Sequence, residues 1–173
     1  IGITDIPLVG GKNASLGEMY SSLSSKGIMV PEGFAVTALG YWSFLNYGNL
    51  IPALTAILSK LDVKSFNNLS ETGSEARKLI LQATFPPLLQ NEITTAYRQL
   101  VLHSGTNNSF AVRSSATAED LPAASFAGQQ ETYLNVKGEE NLIKACHRCY
   151  ASLFTDRAIK YRADNGFDHM KVA

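Results

Sequence analysis

Residues 110–136, FAVRSSATAEDLPAASFAGQQETYLNV, constrain the fold of this chain more than any other stretch. Alternating apolar residues predict a strand at 109–115 and a second strand at 126–136, with a polar loop at 116–125 between them. Strands joined by a connection this short run antiparallel, because a parallel crossover needs a dozen or more residues. The segment therefore predicts a mainly antiparallel sheet in the second half of the chain.

Most of the other segments have helical periodicity. The exceptions are residues 28–36, a short extended segment, and residues 62–73, which are polar and turn-like. Thr37 is a candidate helix cap, and Pro52 suits the first turn of a helix. Helices before the sheet and after it indicate an α+β fold rather than a regular βαβ alternation. One domain over 1–173 is predicted, with a helix-rich part at 1–105 and a strand-containing, phosphate-contacting part at 106–173. The predicted helices cover 12–26, 37–47, 52–61, 74–84, the segment carrying Leu89 to Leu100, 139–149 and 150–164.

The composition argues against several classes of partner. Lys plus Arg total 15 and Asp plus Glu total 15, so no basic excess points to nucleic acid. No apolar run approaches the roughly 20 residues of a membrane span, so no membrane partner is expected. The 2 cysteines are typical of a reducing compartment, which predicts a cytoplasmic protein.

Both ends of the chain suggest a piece of a longer polypeptide. The first residue is Ile1 rather than Met, and Met170 to Ala173 look like the start of a strand. The alternative is a shortened version of a complete small protein. The oligomeric state is left open, with a homodimeric parent as one possibility.

Arg113 is the first candidate for phosphate binding. Its guanidinium offers five donors in a planar fork, and the hydroxyls of Ser114 and Ser115 follow directly. Side-chain alternation places Arg113 on the strand face opposite Val112. The alternative role for Arg113 is a structural ion pair with Glu119 or Asp120.

Lys12 is the second candidate, since Gly10 and Gly11 precede it and a helix pattern follows. A helix N-terminus favours anions, and the lysine would add a charge there. The stretch is not a Walker A loop, because Ile6 and Asn13 stand where that motif needs Gly and Ser or Thr. The alternative is a solvated surface lysine.

The stretch around Gly128, where the predicted second strand begins, supplies the third set of candidates: Gly128, Gln129, Gln130 and Thr132. Backbone N–H groups in such a loop could close over phosphates. The alternatives are an ordinary hairpin with a glycine bulge, and a Thr132 that serves only the strand edge.

Cys146 and Cys149 have half of a zinc-site spacing, but no second such pair exists. Two small buried residues are the expected outcome, and no metal ligand is predicted among these residues. The three histidines, including His147 and His169, form no recognisable hydrolase arrangement.

Four stretches together resemble the amino-terminal nucleotide-binding domain of the phosphoenolpyruvate synthase (pyruvate, water dikinase) family. The resemblance implies the first part of an ATP-grasp domain of the pyruvate phosphate dikinase type. The matching stretches are VGGKNASLGEM at 9–19, VPEGFAVTA at 30–38, residues 110–136 quoted above, and ASLFTDRAIKYRADNGFDH at 151–169.

The resemblance also implies an activity for the parent enzyme, a magnesium-dependent kinase of gluconeogenesis. That family converts ATP, pyruvate and water to AMP, phosphoenolpyruvate and phosphate through a phosphohistidine. It implies that Lys12 and Arg113 are catalytic on the ATP phosphates, and that the loop from Gly128 to Thr132 is a lid. The metal ligands, the phosphohistidine domain and the barrel that binds pyruvate are expected beyond Ala173. The isolated chain is thus expected to be inactive, with nucleotide affinity weak or absent.

Two alternatives accompany this interpretation. Rifampicin phosphotransferase is similar through the same AEDLPAASFAGQQ-type segment. A non-catalytic nucleotide-binding remnant is the alternative of a different class.

Overall fold

A computed structural model of the chain describes residues 1–104, 108–117, 120–121, 124–125 and 131–173. It has the predicted α+β composition. Short 3-10 helices cover Ile3–Asp5, Ser24–Lys26 and His169–Lys171. The α-helices are α1 (Ile6–Val9), α2 (Gly11–Leu23), α3 (Ala38–Tyr47), α4 (Leu50–Leu58), α5 (Leu69–Gln82), α6 (Pro87–Ser104), α7 (Glu139–Ser152) and α8 (Asp156–Asp164), and the strands are β1 (Phe110–Arg113), β2 (Asp120–Leu121), β3 (Ala124–Ser125) and β4 (Thr132–Val136).

Local chemistry sets most of the helix boundaries. The Thr37 hydroxyl accepts a hydrogen bond from the Gly40 N–H at 3.3 Å, which confirms the predicted cap of α3. Pro87 begins α6, where its missing N–H costs nothing. The face of α6 that carries Leu89, Ile93 and Tyr97 is buried, as its periodicity predicts.

The prediction of a turn at 62–73 is wrong in its second half, because α5 begins at Leu69. The buried face of α5 includes Thr72, Gly73 and Ala76, which are too small to form an apolar stripe in the sequence. The small residues of this face let the α5 backbone lie close to the chain it packs against, since a Cβ added to Gly73 would lie 3.1 Å from the Phe154 carbonyl oxygen. The predicted boundary between the last two helices is also shifted, since α7 continues to Ser152.

The sheet is antiparallel, as predicted, but its strands are shorter. β1 pairs with β4 in a register that places Phe110 opposite Val136 and Arg113 opposite Thr132, with an irregularity between Phe110 and Val112. Asn135 takes a left-handed φ of 57° beside that irregularity, which is typical of a bulge. Residues 126–130 of the predicted second strand lie outside the described residues.

The predicted loop at 116–125 contains a second antiparallel pair, which corrects that prediction. Asp120 pairs with Ser125 and Leu121 pairs with Ala124. A strand of two residues is too short to show a period-2 pattern, so backbone pairing alone defines it.

The core lies between the helices and the inner face of the β1–β4 pair, with α7 at its centre. Phe44, Phe85, His147 and Tyr150 form a ring cluster in which the Phe85 and His147 centroids are 4.5 Å apart. Helix α7 contacts both strands, so the face that carries Val112 is covered. Within the described residues, none of the helices combines the length and apolarity that a bilayer crossing requires.

Candidate phosphate-binding site

Arg113 and Thr132 are direct cross-strand neighbours. They stand opposite each other in the β1–β4 register, and both side chains are exposed. Opposed residues in an antiparallel pair project from the same face of the sheet. Two of the predicted phosphate contacts therefore lie side by side, on the face that α7 does not cover.

The N-terminus of α2 contacts the end of β1. Ser115 Oγ accepts a hydrogen bond from the Asn13 N–H at 3.2 Å, across a sequence separation of 102 residues. A Cβ added to Gly10 would lie 2.3 Å from the Ser115 carbonyl oxygen and 2.5 Å from its hydroxyl oxygen. Gly10, two residues before Lys12, is thus packed against the serine that lies two residues after Arg113.

These contacts place the backbones of Lys12 and Arg113 in one region of the molecule. Lys12 is half-buried and lies between Gly10 and Asn13, both of which contact Ser115. β1 ends at Arg113 and Ser115 follows two residues later, so the N-terminus of α2 contacts the chain just past the end of that strand. This region has the composition expected for phosphate oxygens, with two cationic side chains, hydroxyls and a helix N-terminus.

The segment after Arg113 is held from two sides. The Ser114 N–H donates to the Glu131 carbonyl at 3.4 Å, which extends the strand pairing by one residue. The carboxylate of Glu131 pairs with Arg157 at the start of α8. On the other side, the Thr117 N–H donates to the Ala173 carbonyl at 2.9 Å. Sequence reasoning missed these supports, because only the fold brings residues 131, 157 and 173 to this place.

Several predicted residues lie outside the described part of the chain. Gly128, Gln129 and Gln130 fall in 126–130, and the side chains of Glu119 and Asp120 are likewise outside it. The proposed lid and the ion pair suggested as an alternative role for Arg113 therefore stay predictions.

The described residues contain no group of three or more His, Cys, Asp or Glu that could hold a metal ion. The residues next to Ser115 along the backbone or in contact with it are Lys12, Asn13, Arg113 and Ser114, whose cations, amide and hydroxyl suit phosphate rather than a metal. Cys146 and Cys149 are both buried in the core, as predicted for them. Burial raises the pKa of each thiol to about 12.

The two half-buried histidines, His147 and His169, have structural surroundings. Burial lowers the pKa of His147, and a hydrogen bond to the Ala83 backbone opposes that shift. Burial, with the neighbouring Arg162 charge second, lowers the pKa of His169 to about 4, while Asp168 acts in the opposite direction. The His147 ring lies against Phe44 and Phe85, and His169 Nδ1 accepts a hydrogen bond from Arg162.

Comparison with known proteins places these observations in a family. The profile of the family described as pyruvate phosphate dikinase, AMP/ATP-binding domain, matches residues 6–173. The phosphoenolpyruvate synthase of Synechocystis sp. is 53% identical over 100% of this chain and 22% of its own length. That of Aquifex aeolicus is 54% identical over 98% and 20%, and that of Escherichia coli is 49% identical over 100% and 22%. The chain spans about a fifth of the length of these relatives.

Proposed function

Because the chain belongs to the pyruvate phosphate dikinase AMP/ATP-binding domain family, we propose that it forms the part of an ATP site that holds the phosphates. Lys12 and Arg113 supply the charge, Thr132 and the Ser114 and Ser115 hydroxyls supply further hydrogen bonds, and Gly128, Gln129 and Gln130 form a backbone lid. The parent enzyme forms phosphoenolpyruvate from pyruvate, ATP and water by way of a phosphohistidine, giving AMP and phosphate.

One observation carries this proposal: Ser115 joins the helix N-terminus that bears Lys12 to the strand that bears Arg113. Phosphoryl transfer depends mostly on positioning and on stabilising charge. Two cations held in one region would bind the phosphates and stabilise their negative charge. The register that pairs Arg113 with Thr132 adds a hydroxyl on the same face. A guanidinium on a strand is also better fixed than one on a loop.

The remaining parts of the proposal concern the parent protein. Magnesium would neutralise the phosphate charge, and its ligands are proposed to lie outside residues 1–173, as are the phosphohistidine domain and the barrel that binds pyruvate. The domain division at residue 105 is proposed on the same basis. The parent is proposed to be a cytoplasmic enzyme of gluconeogenesis that has no nucleic-acid or membrane partner. A homodimer is its candidate assembly.

Of the two alternatives, neither has the support of a specific observation. The relatives reported above carry the name phosphoenolpyruvate synthase, which favours that activity over a rifampicin phosphotransferase. A remnant that binds nucleotide and transfers nothing would share the same phosphate site. Formation of phosphoenolpyruvate by the isolated chain would contradict our expectation that residues 1–173 alone are inactive.

The experiment titrates the ¹⁵N-labelled chain with ATP and magnesium to millimolar concentration. We expect weak binding with amide shift changes near Lys12 and Ser115, and a loss of about tenfold or more in affinity for Arg113→Ala, since hydrogen bonds to charged groups are the strong ones. Arg98→Ala is the matched control, because Arg98 pairs with Glu139 on the surface. The sequence leaves weak and absent nucleotide affinity both open, and this proposal commits to weak binding. Equal binding by wild type and Arg113→Ala, or no shift change at all, would therefore contradict it.

A further inference from the structure

Ser115 has a second role in addition to any contact with a ligand. We propose that Ser115 is a positioning residue, whose hydroxyl holds the N-terminus of α2 so that Lys12 is presented on the same side as Arg113. This inference rests on the proposed function, since it concerns the same site. Nothing in the sequence distinguishes Ser115 in this way from its neighbour Ser114.

The first argument is that α2 is capped by a residue from another part of the chain. The N-cap residue is Gly10, which has no side chain to accept from the free N–H groups of the first turn. Ser115 Oγ accepts instead from Asn13, the third residue of the helix, which is where a serine N-cap normally acts. Ser115 thus replaces a local cap with a tertiary one.

The second argument is that the contact is closely fitted. Gly10 combines φ 76° with ψ 161°, a conformation essentially restricted to glycine. Its backbone packs against Ser115 so tightly that a Cβ would lie 2.3 Å from the carbonyl oxygen. The side-chain amide of Asn13 donates to the Val9 carbonyl at 3.0 Å and so holds the end of α1 against the start of α2.

The third argument concerns what the hydroxyl has left to offer. A serine hydroxyl has one donor and two acceptor positions, and the Asn13 N–H occupies one acceptor position. The Ser115 O–H can therefore still donate to a phosphate oxygen while the helix stays in place. Losing the hydroxyl would release the first turn of α2, and small misplacements of a charged group weaken phosphate binding strongly.

Ser114 is a natural control for Ser115. It is the adjacent residue, it has the same chemistry, and it is similarly half-buried. Its hydroxyl is 3.5 Å from the Glu131 carbonyl, so it reaches β4 rather than α2. A positioning role for α2 thus predicts that Ser115→Ala and Ser114→Ala behave differently.

The first measurement needs no nucleotide. In the whole chain, Ser115→Ala should speed hydrogen exchange at the Asn13 amide by about tenfold, since one hydrogen bond is lost. Ser115→Thr, which keeps the hydroxyl, and Ser114→Ala should leave that exchange rate unchanged. Unchanged exchange at Asn13 in Ser115→Ala would overturn the inference.

The second measurement is a double-mutant cycle of ATP affinity, with magnesium present, for Ser115→Ala and Lys12→Ala. If Ser115 positions Lys12, the lysine substitution should cost less in the Ser115→Ala background, and Ser115→Thr should restore wild-type affinity. Additive losses would mean that Ser115 only contacts the ligand, which overturns the inference. If the wild-type chain binds ATP and Ser115→Ala binds it with the same affinity, the inference is overturned and the proposed function stays intact. Absence of binding by the wild-type chain would overturn the proposed function itself and, with it, the site that Ser115 serves.

Discussion

At the scale of single residues, Gly10 combines a backbone conformation restricted to glycine with a close tertiary contact. Its positive φ and its ψ near 160° exclude other residues, and the nearest atom across the contact is the Ser115 backbone carbonyl oxygen, which cannot move aside as a side chain can. Gly27 has the same φ of 76° but a ψ of 11°, and no atom lies within 4 Å of an added Cβ. Gly10 therefore adds a glycine-restricted ψ and a close contact to the positive φ that it shares with Gly27.

We predict that Gly10→Ala destabilises the chain by about 3 kcal/mol or more, through strain plus the clash with Ser115. Gly27→Ala should cost only about 1 kcal/mol, because alanine pays only the left-handed penalty there. Urea denaturation of both variants and the wild type measures the difference. Equal costs for the two substitutions would show that a Cβ at Gly10 causes neither the extra strain nor the clash with Ser115 that we expect.

At the scale of elements, the buried Arg162 fixes the end of α8 against its neighbours. Its side chain is 1% exposed, its Nη2 donates to the Leu153 carbonyl at 2.5 Å, and its Nε donates to His169 Nδ1 at 3.0 Å. Burial lowers the pKa of Arg162 to about 10, with Tyr41 opposing the shift, so the guanidinium stays charged near neutral pH. The His169 ring must be neutral to accept this bond, which couples the last 3-10 helix to pH.

We predict that the chain loses stability as the pH falls from about 6.5 to about 4. The pKa of His169 is about 4 in the folded chain and the ordinary value is 6.5, so the unfolded chain binds the extra proton first. The stabilisation is complete above the ordinary value and declines through that window. We expect about 1 kcal/mol from His169, after discounting for its partial exposure to solvent.

Denaturation at pH 7 and pH 5 tests this, with His169→Gln and the exposed His103→Gln compared with the wild type. His169→Gln should reduce the pH dependence, and His103→Gln should leave it unchanged. Part of the dependence should persist in His169→Gln, because burial also lowers the pKa of His147. A pH dependence that His169→Gln leaves intact would rule out this source.

At the scale of the whole molecule, α7 organises the core. Its inner side carries Cys146 and Cys149, and it packs against β1, β4, α5 and α6. Both thiols are buried, and burial raises the pKa of each to about 12. The thiols therefore report on unfolding of the entire structure.

We predict that a thiol reagent at pH 8 labels the native chain at least about a hundredfold more slowly than the chain in denaturant, because the thiolate is the reactive form and needs exposure. Ser25→Cys is the control, since Ser25 is exposed and should react rapidly in the native chain. Rapid labelling of the two native thiols would show that α7 opens without global unfolding.

Sequence patterns predicted the elements that have strong local signals. Thr37 and Gly48 bound α3, and the Leu89, Ile93 and Tyr97 stripe defines α6, because capping and 3.6-residue periodicity act within a few turns. The same patterns missed the start of α5, where small residues pack closely, and the β2–β3 pair, which depends on backbone pairing. Neither contact depends on an apolar stripe, since the first comes from the close approach of small residues and the second from backbone hydrogen bonds.

For the candidate site, the sequence predicted which residues take part, and the tertiary structure determined their relative positions. The capacity to bind phosphate oxygens can be predicted from residue type alone, because charge, donor geometry and hydroxyl groups are properties of the side chains. This applies to Lys12, Arg113, Ser115 and Thr132. Their arrangement is a tertiary property: the β1–β4 register sets Thr132 beside Arg113, and the packing of Gly10 against Ser115 brings α2 to the sheet. A contact between residues 102 positions apart leaves no pattern in the local sequence. Ordering the chain between them costs conformational entropy, which is offset only when the whole core forms.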